Sequence, residues 1–173
     1  MFNGEILITG KHANYIRFLN DKDKSINAKF FERYIDIIMV GAVIGFIYGR
    51  KEERDTSISL ETKVFPETVL AKSEKLKFIF RTIMLLEDRS NLTDEERIER
   101  AFRDEYRNPE RHKKNMDLFY SYVRGGISYL YDRLNQNAFN KSEYINNLKD
   151  FIDDFNYDFI SEKYTQDIDY DEL

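Results

Sequence analysis

The run from Phe30 to Arg50, FFERYIDIIMVGAVIGFIYGR, limits what this chain can become more than any other stretch. From Ile35 to Tyr48 only Asp36 and two glycines interrupt the apolar residues. A helix that is apolar on every face belongs in a membrane or in the middle of a bundle. Crossing a bilayer takes about 20 such residues; this run is shorter, and charges crowd both of its ends (Glu32 and Arg33; Arg50 to Arg54). The expectation is a buried central helix and no membrane span. Gly41, Gly45 and Gly49 recur at a spacing of four, which puts them on nearly one face. Glycine inside a helix costs about 1 kcal/mol against alanine, so the three need a packing reason. They would cut a groove for a second backbone, either within the fold or in a homo-oligomer. Gly49 also suits the cap that ends the helix.

The chain of 173 residues is 42% hydrophobic and 15% aromatic, enough for one domain with its own core. It has no cysteine, which excludes thiol catalysis, disulfide scaffolding and cysteine-ligated zinc and fits a cytoplasmic location. Met1 to Thr9 is too short, and lacks the basic lead, to read as a signal peptide. Two prolines and seven glycines leave little room for an all-β meander, so helix should dominate. The net charge of −5 is unevenly spread. Asp150 to Leu173 holds nine acidic residues and one basic, a balance of −8; the remaining 26 basic and 23 acidic residues leave +3. Residues 1–160 read as a single helical domain and 161–173 as an acidic, flexible tail that either solubilises the chain, covers the arginines between Arg97 and Arg111 or docks on a basic partner protein.

Along the chain, Glu5 to Thr9 reads as a short strand and Lys11 to Leu19 as a helix with Tyr15, Ile16 and Leu19 on one face. Ser25 or Asn27 is placed to cap the central helix. Ser57 to Phe65 alternates in the strand manner, with Ile58, Leu60 and Val64 inward, and could pair with the first strand before Pro66 ends it. Leu76 to Leu86 forms an amphipathic helix capped by Ser73, with Leu76, Ile79, Phe80, Ile83, Met84 and Leu86 inward; Asp88 to Asn91 is a polar loop. Thr93 to Glu96 is a capping box that opens a polar helix whose core residues would be Ile98, Ala101, Phe102 and Tyr106. Asn108-Pro109 breaks it. A long helix follows from about Lys113 to Leu134, with Gly125-Gly126 marking a close crossing against the central helix or a kink. A last helix runs from Ser142 to about Phe159, with Ile145, Leu148, Ile152, Phe155 and Phe159 inward. The fold class expected is mainly α: a helical bundle around a buried central helix, with room for a two-stranded β element.

Chemical motifs are few. His12 and His112 are far apart and flanked by lysine, so both read as surface residues; no metal site and no cofactor is expected. Neither a phosphate-binding GxxxxGK loop nor a G-x-S-x-G elbow occurs. Glu61 and Lys63 form an acidic-x-Lys pair on a predicted strand. Metal-dependent nucleases use such a pair to hold Mg²⁺ and steady a water, but only Asp55 is near enough in sequence to be the second carboxylate. Solvated strand residues are the better account, and no catalytic residue is assigned. Arg97, Arg100, Arg103, Arg107 and Arg111, followed by Lys113 and Lys114, recur at steps of three and four. They would present a basic ridge to phosphates or an acidic partner, unless Glu96 to Arg100 and Glu99 to Arg103 pair as i,i+4 neighbours and leave a salt-bridged, solvated face.

Gly45-Phe-Ile-Tyr-Gly49-Arg50 closing an aromatic-led helix, Val64-Phe65 ending a strand, the helix Leu76 to Glu87, and Tyr122-Val-Arg-Gly125-Gly126-Ile127-Ser-Tyr-Leu130 form a further pattern. It resembles the small bacterial proteins encoded beside DNA phosphorothioation (Dnd) gene clusters, known as Dnd system-associated protein 4, over roughly residues 31–134. The resemblance implies an accessory role in prokaryotic defence against foreign DNA and brings no catalytic residues; residues 95–114 and 142–173 depart from its pattern. The function expected is a non-enzymatic accessory or adaptor subunit of a DNA-defence system, working by protein–protein contacts. The alternative is a direct DNA-binding regulator that uses the basic ridge from Arg97 to Lys114.

Overall fold

The structure, a computed structural model, describes residues 1–20, 29–87 and 91–161. Strand β1 (Ile6–Thr9) leads directly into α1 (Gly10–Asn20), which buries Ile16 and Leu19. Helix α2 (Tyr34–Ile47) is the apolar run. Ser25 and Asn27, the candidate caps, lie outside the described residues. Strand β2 (Glu61–Val64) is shorter than expected and pairs antiparallel with β1, Ile6 opposite Val64 and Thr9 opposite Glu61. Its inward residues are Thr62 and Val64, while Ile58 is exposed ahead of the strand. Pro66 does not merely end the strand. It opens the short helix α3 (Pro66–Ala71), where its fixed φ and missing N–H are harmless in the first turn.

Helix α4 (Ser73–Leu86) begins at Ser73, so that serine is the first helical residue and not the cap; Leu76, Phe80, Ile83 and Met84 are buried and Leu86 is exposed. Residues 88–90 of the expected loop lie outside the described residues. The capping box forms at α5 (Asp94–Ile98), where the Thr93 side chain accepts from the Glu96 N–H and Glu96 reaches back to the Thr93 N–H. A π-helical turn (Glu99–Arg103) and α6 (Asp104–Arg107) follow. The extra residue in that turn rotates what comes after it. Ile98, Phe102 and Tyr106, expected in the core, point out, and only Ala101 and Asp104 are buried.

Asn108-Pro109 is a start as much as a break. Pro109 is the first residue of α7 (Pro109–Asn135), and the Asn108 side chain accepts from the Arg111 N–H at 3.0 Å as its cap. Helix α8 (Lys141–Asn156) is capped by Asn140 and continues into a second π-helical turn (Tyr157–Ser161). Its inward face is set by Tyr144 and Phe151, with Ile145 and Ile152 exposed, because the aromatics, not the isoleucines, find partners: Tyr144 meets Phe18 and Phe30, and Phe151 meets Tyr129.

The fold is thus mainly α with one small antiparallel sheet, and α2 packs chiefly on α7. The glycines explain how closely. A Cβ at Gly45 would overlap the Tyr122 carbonyl, one at Gly126 the Gly41 carbonyl, and one at Gly125 the Arg50 carbonyl; at Gly41 it would sit 3.1 Å from the Val123 oxygen. Gly125-Gly126 is a crossing and not a kink, since α7 runs unbroken through it. The groove cut by the α2 glycines is filled from within the chain. Gly49 takes no part in it: with φ +62° and open space around it, it ends α2 in the left-handed conformation that glycine tolerates.

Among the described residues no helix is long and apolar enough to cross a membrane.

Candidate functional site

Helix α2 has a second face. Val40, Val43 and Ile47 recur at steps of three and four roughly opposite the glycines, and this stripe is not covered by the bundle. Val43 remains 37% exposed. The stripe forms the floor of an open groove. One wall is α4, through Phe78, Ile79, Thr82 and Leu86; the other is the end of α8, through Phe155. The wider part, about 740 Å³, lies between Met39 to Ile44 and Glu74 to Ile79, and a narrower part of about 290 Å³ continues to Phe46 and Leu86. Phe78 stands on the rim 71% exposed. A helix apolar on every face was expected to be buried all round; here one face is buried by backbone contact and the opposite one is open.

The groove has one charged end. Glu74 is paired with Lys77 at 2.8 Å. Lys72 and Lys75, at the start of α4, have no ion-pair partner among the described residues. An apolar trough with unpaired cations at one end suits a segment that carries apolar residues on one side and carboxylates at one terminus.

The basic ridge is arranged differently from its sequence expectation. Arg97 donates to the Leu85 carbonyl at 2.9 Å and pairs with Asp94. Arg100 turns inward to Asn115 at 3.2 Å, leaving Glu96 to the capping box. Arg103 bonds Glu99 at 2.6 Å and Glu95 at 3.1 Å, and Arg107 reaches Glu99 at 3.3 Å. Arg111 grips the buried Asp104 carboxylate at 2.6 Å, joined there by Asn115 at 3.1 Å. All five arginines are therefore engaged by groups of the chain itself, while Lys113 and Lys114 are exposed and have no ion-pair partner among the described residues. Asp104 holds α6 to α7, and nothing about an acidic residue inside a run of arginines marks it as buried.

Both histidines depart from the surface expectation. His12 is fully buried, its Nε2 2.9 Å from Glu52, which also takes Lys11 Nζ at 2.7 Å. Burial pushes the His12 imidazole below its ordinary value, against the upward pull of Glu52. Burial raises Glu52, but the hydrogen bonds from Lys11 and His12 outweigh it and hold the carboxyl below the usual range. His112 packs edge-on against Phe80, ring centres 5.9 Å apart. The segment after α2 is fastened further: the Glu52 N–H donates to the Ser121 carbonyl at 3.0 Å and Arg124 donates to the Glu52 carbonyl at 2.8 Å. This cluster staples α1 and residues 50–56 to α7.

The nuclease pattern does not come together. Lys63 pairs with Glu5 at 3.4 Å. Asp55 receives the backbone N–H groups of Lys11 at 2.5 Å and Ser57 at 3.0 Å, which push its carboxyl down to about 2; it serves as a turn and helix-start anchor. No group of three or more His, Asp or Glu side chains placed to hold a metal occurs among the described residues.

Comparison with family models, with curated proteins and with solved structures gives no match for this chain.

Proposed function

We propose that the chain is a non-enzymatic adaptor that receives an apolar, acid-ended helix of another protein in the groove between α2, α4 and α8. The observation that supports this reading is the uncovered Val40–Val43–Ile47 stripe beside Phe78, where apolar residues of three helices line one continuous groove. Exposed apolar surface of this kind is characteristic of interaction sites. Lys72 and Lys75 set the polarity of the bound helix, its acidic end toward the start of α4. On the resemblance of residues 31–134 to Dnd-associated proteins, the partner belongs to a prokaryotic DNA-defence complex. The arginine row, engaged by Glu95, Glu99, Asp94 and Asp104, is less available to phosphates than its spacing suggests, which favours protein over DNA as the primary ligand.

The test is co-expression with the proteins encoded beside it, followed by nuclease treatment and purification. One such protein is expected in fixed ratio with the wild type and reduced at least tenfold with Val43→Asp/Phe78→Asp, while Arg103→Glu/Arg107→Glu retains it. Loss with the arginine variant but not the groove variant, or release by nuclease, would transfer the function to the ridge.

A further inference from the structure

The groove has a candidate occupant within the chain. Helices α2 and α4 run side by side in the same direction, since Met39 to Ile44 face Glu74 to Ile79 and Phe46 and Ile47 face Thr82 to Leu86. The far wall descends the same way. Phe155 lines the groove beside Met39 to Ile44, Phe159 lies 5.2 Å from Phe155 and 5.3 Å from Tyr48, and the second π-helical turn ends at Ser161. The chain therefore leaves the described fold beside the Phe46–Leu86 end. Residues 162–173, EKYTQDIDYDEL, continue from there.

Three properties of this segment match the groove. Its reach is ample: twelve residues extend up to about 40 Å, and the α4 wall from Glu74 to Leu86 measures about 18 Å at helical rise. It carries Tyr164, Ile168 and Tyr170, apolar or amphipathic residues for the trough. Its charge is also placed correctly. Entering at the Leu86 end, it brings Asp167, Asp169, Asp171 and Glu172 to the far end, where Lys75 lines the groove and Lys72 precedes α4, both without ion-pair partners among the described residues. Opposite charges at that end also oppose the reverse orientation.

We infer that residues 162–173 fold back into the α2–α4–α8 groove and compete there with the protein partner. The inference rests on the groove being the docking site. Tethering gives such a segment an effective concentration near the millimolar range, so even weak intrinsic affinity suffices to occupy the groove and to reduce a partner's apparent affinity two- to tenfold.

The absence of native cysteine allows a clean test on the full chain. Glu74→Cys/Asp171→Cys places one thiol on the groove wall and one in the segment; Lys113→Cys/Asp171→Cys is the control on an exposed site outside the groove. Under mild oxidation the 74–171 disulfide is expected to form within one chain at least five times faster than the 113–171 disulfide, and Phe78→Asp is expected to abolish that excess. Equal rates for the two pairs would overturn the inference, as would 74–171 disulfides formed mainly between two chains, which would make a second copy the occupant. The two readings separate cleanly. Fast 74–171 closure without any groove-dependent partner supports self-occlusion and overturns the adaptor reading; a groove-dependent partner without closure does the reverse.

Discussion

Asp104 and His12 show how much of this molecule is decided by single buried polar side chains. Asp104 is wholly buried and held by Arg111 and Asn115. The Arg111 side chain is 41% exposed and can turn to water once Asp104 is gone, so removing the carboxylate costs about 1–3 kcal/mol, chiefly for the buried Asn115 left without its acceptor. Asp104→Ala is expected to lower stability by about that amount in urea titration, and Asp104→Asn by less, since it keeps an acceptor for Arg111. At His12 the sign of the pH effect follows from its lowered pKa: the folded state disfavours the imidazolium, so its contribution is complete above the unfolded value near 6.5 and declines as pH falls below it. Glu52, also held low, loses its contribution at lower pH still, below its ordinary value near 4.5. Stability measured between pH 7.5 and 5 is expected to fall in the wild type and to fall less in His12→Gln. Neither residue was legible as buried. The partner of His12 lies 40 positions away, and a lysine neighbour disguised it.

Among the elements, the α2–α7 crossing was the most legible, because glycine at a spacing of four in one helix and a glycine pair in another have few uses besides close approach. Gly126→Ala forces a methyl group into the Gly41 carbonyl, and is expected to cost about 3 kcal/mol or more as overpacking between two backbones. Gly49→Ala meets no atom but keeps a positive φ, and is expected to cost about 1 kcal/mol. Thermal denaturation of the two variants distinguishes a packing glycine from a capping one. The elements misread in the sequence share a cause. The π-helical turn shifts Phe102 and Tyr106 outward, and α8 follows the aromatic contacts of Tyr144 and Phe151 instead of its isoleucines. Period alone records neither an inserted residue nor the strength of a neighbour.

On the scale of the whole molecule, the open groove follows from α2 being apolar all round while the bundle covers only part of it. The sequence announced the apolar stripe but not its exposure, which depends on where α4 and α8 stop. Phe78→Asp, on a residue 71% exposed, is expected to change stability by no more than about 0.5 kcal/mol. The same variant is expected to reduce the binding of an environment-sensitive apolar dye severalfold. A large loss of stability would mean that Phe78 is structural and the groove is not a free surface.

The backbone contact between Gly41 and Gly126 also bears on how the protein is made. Its two halves are more than eighty positions apart in the chain. At about 5–20 residues per second, a ribosome spends on the order of 4–16 s between them. Throughout that interval the most apolar helix of the protein has been synthesised and the backbone that buries its glycine face has not. Newly made chains therefore pass through a period of high stickiness, and slowing translation between residues 50 and 126 is expected to increase their capture by chaperones or their aggregation. Because the contact joins distant parts of the chain, loop closure has to precede its formation, so Gly126→Ala should slow refolding as well as weaken the folded state.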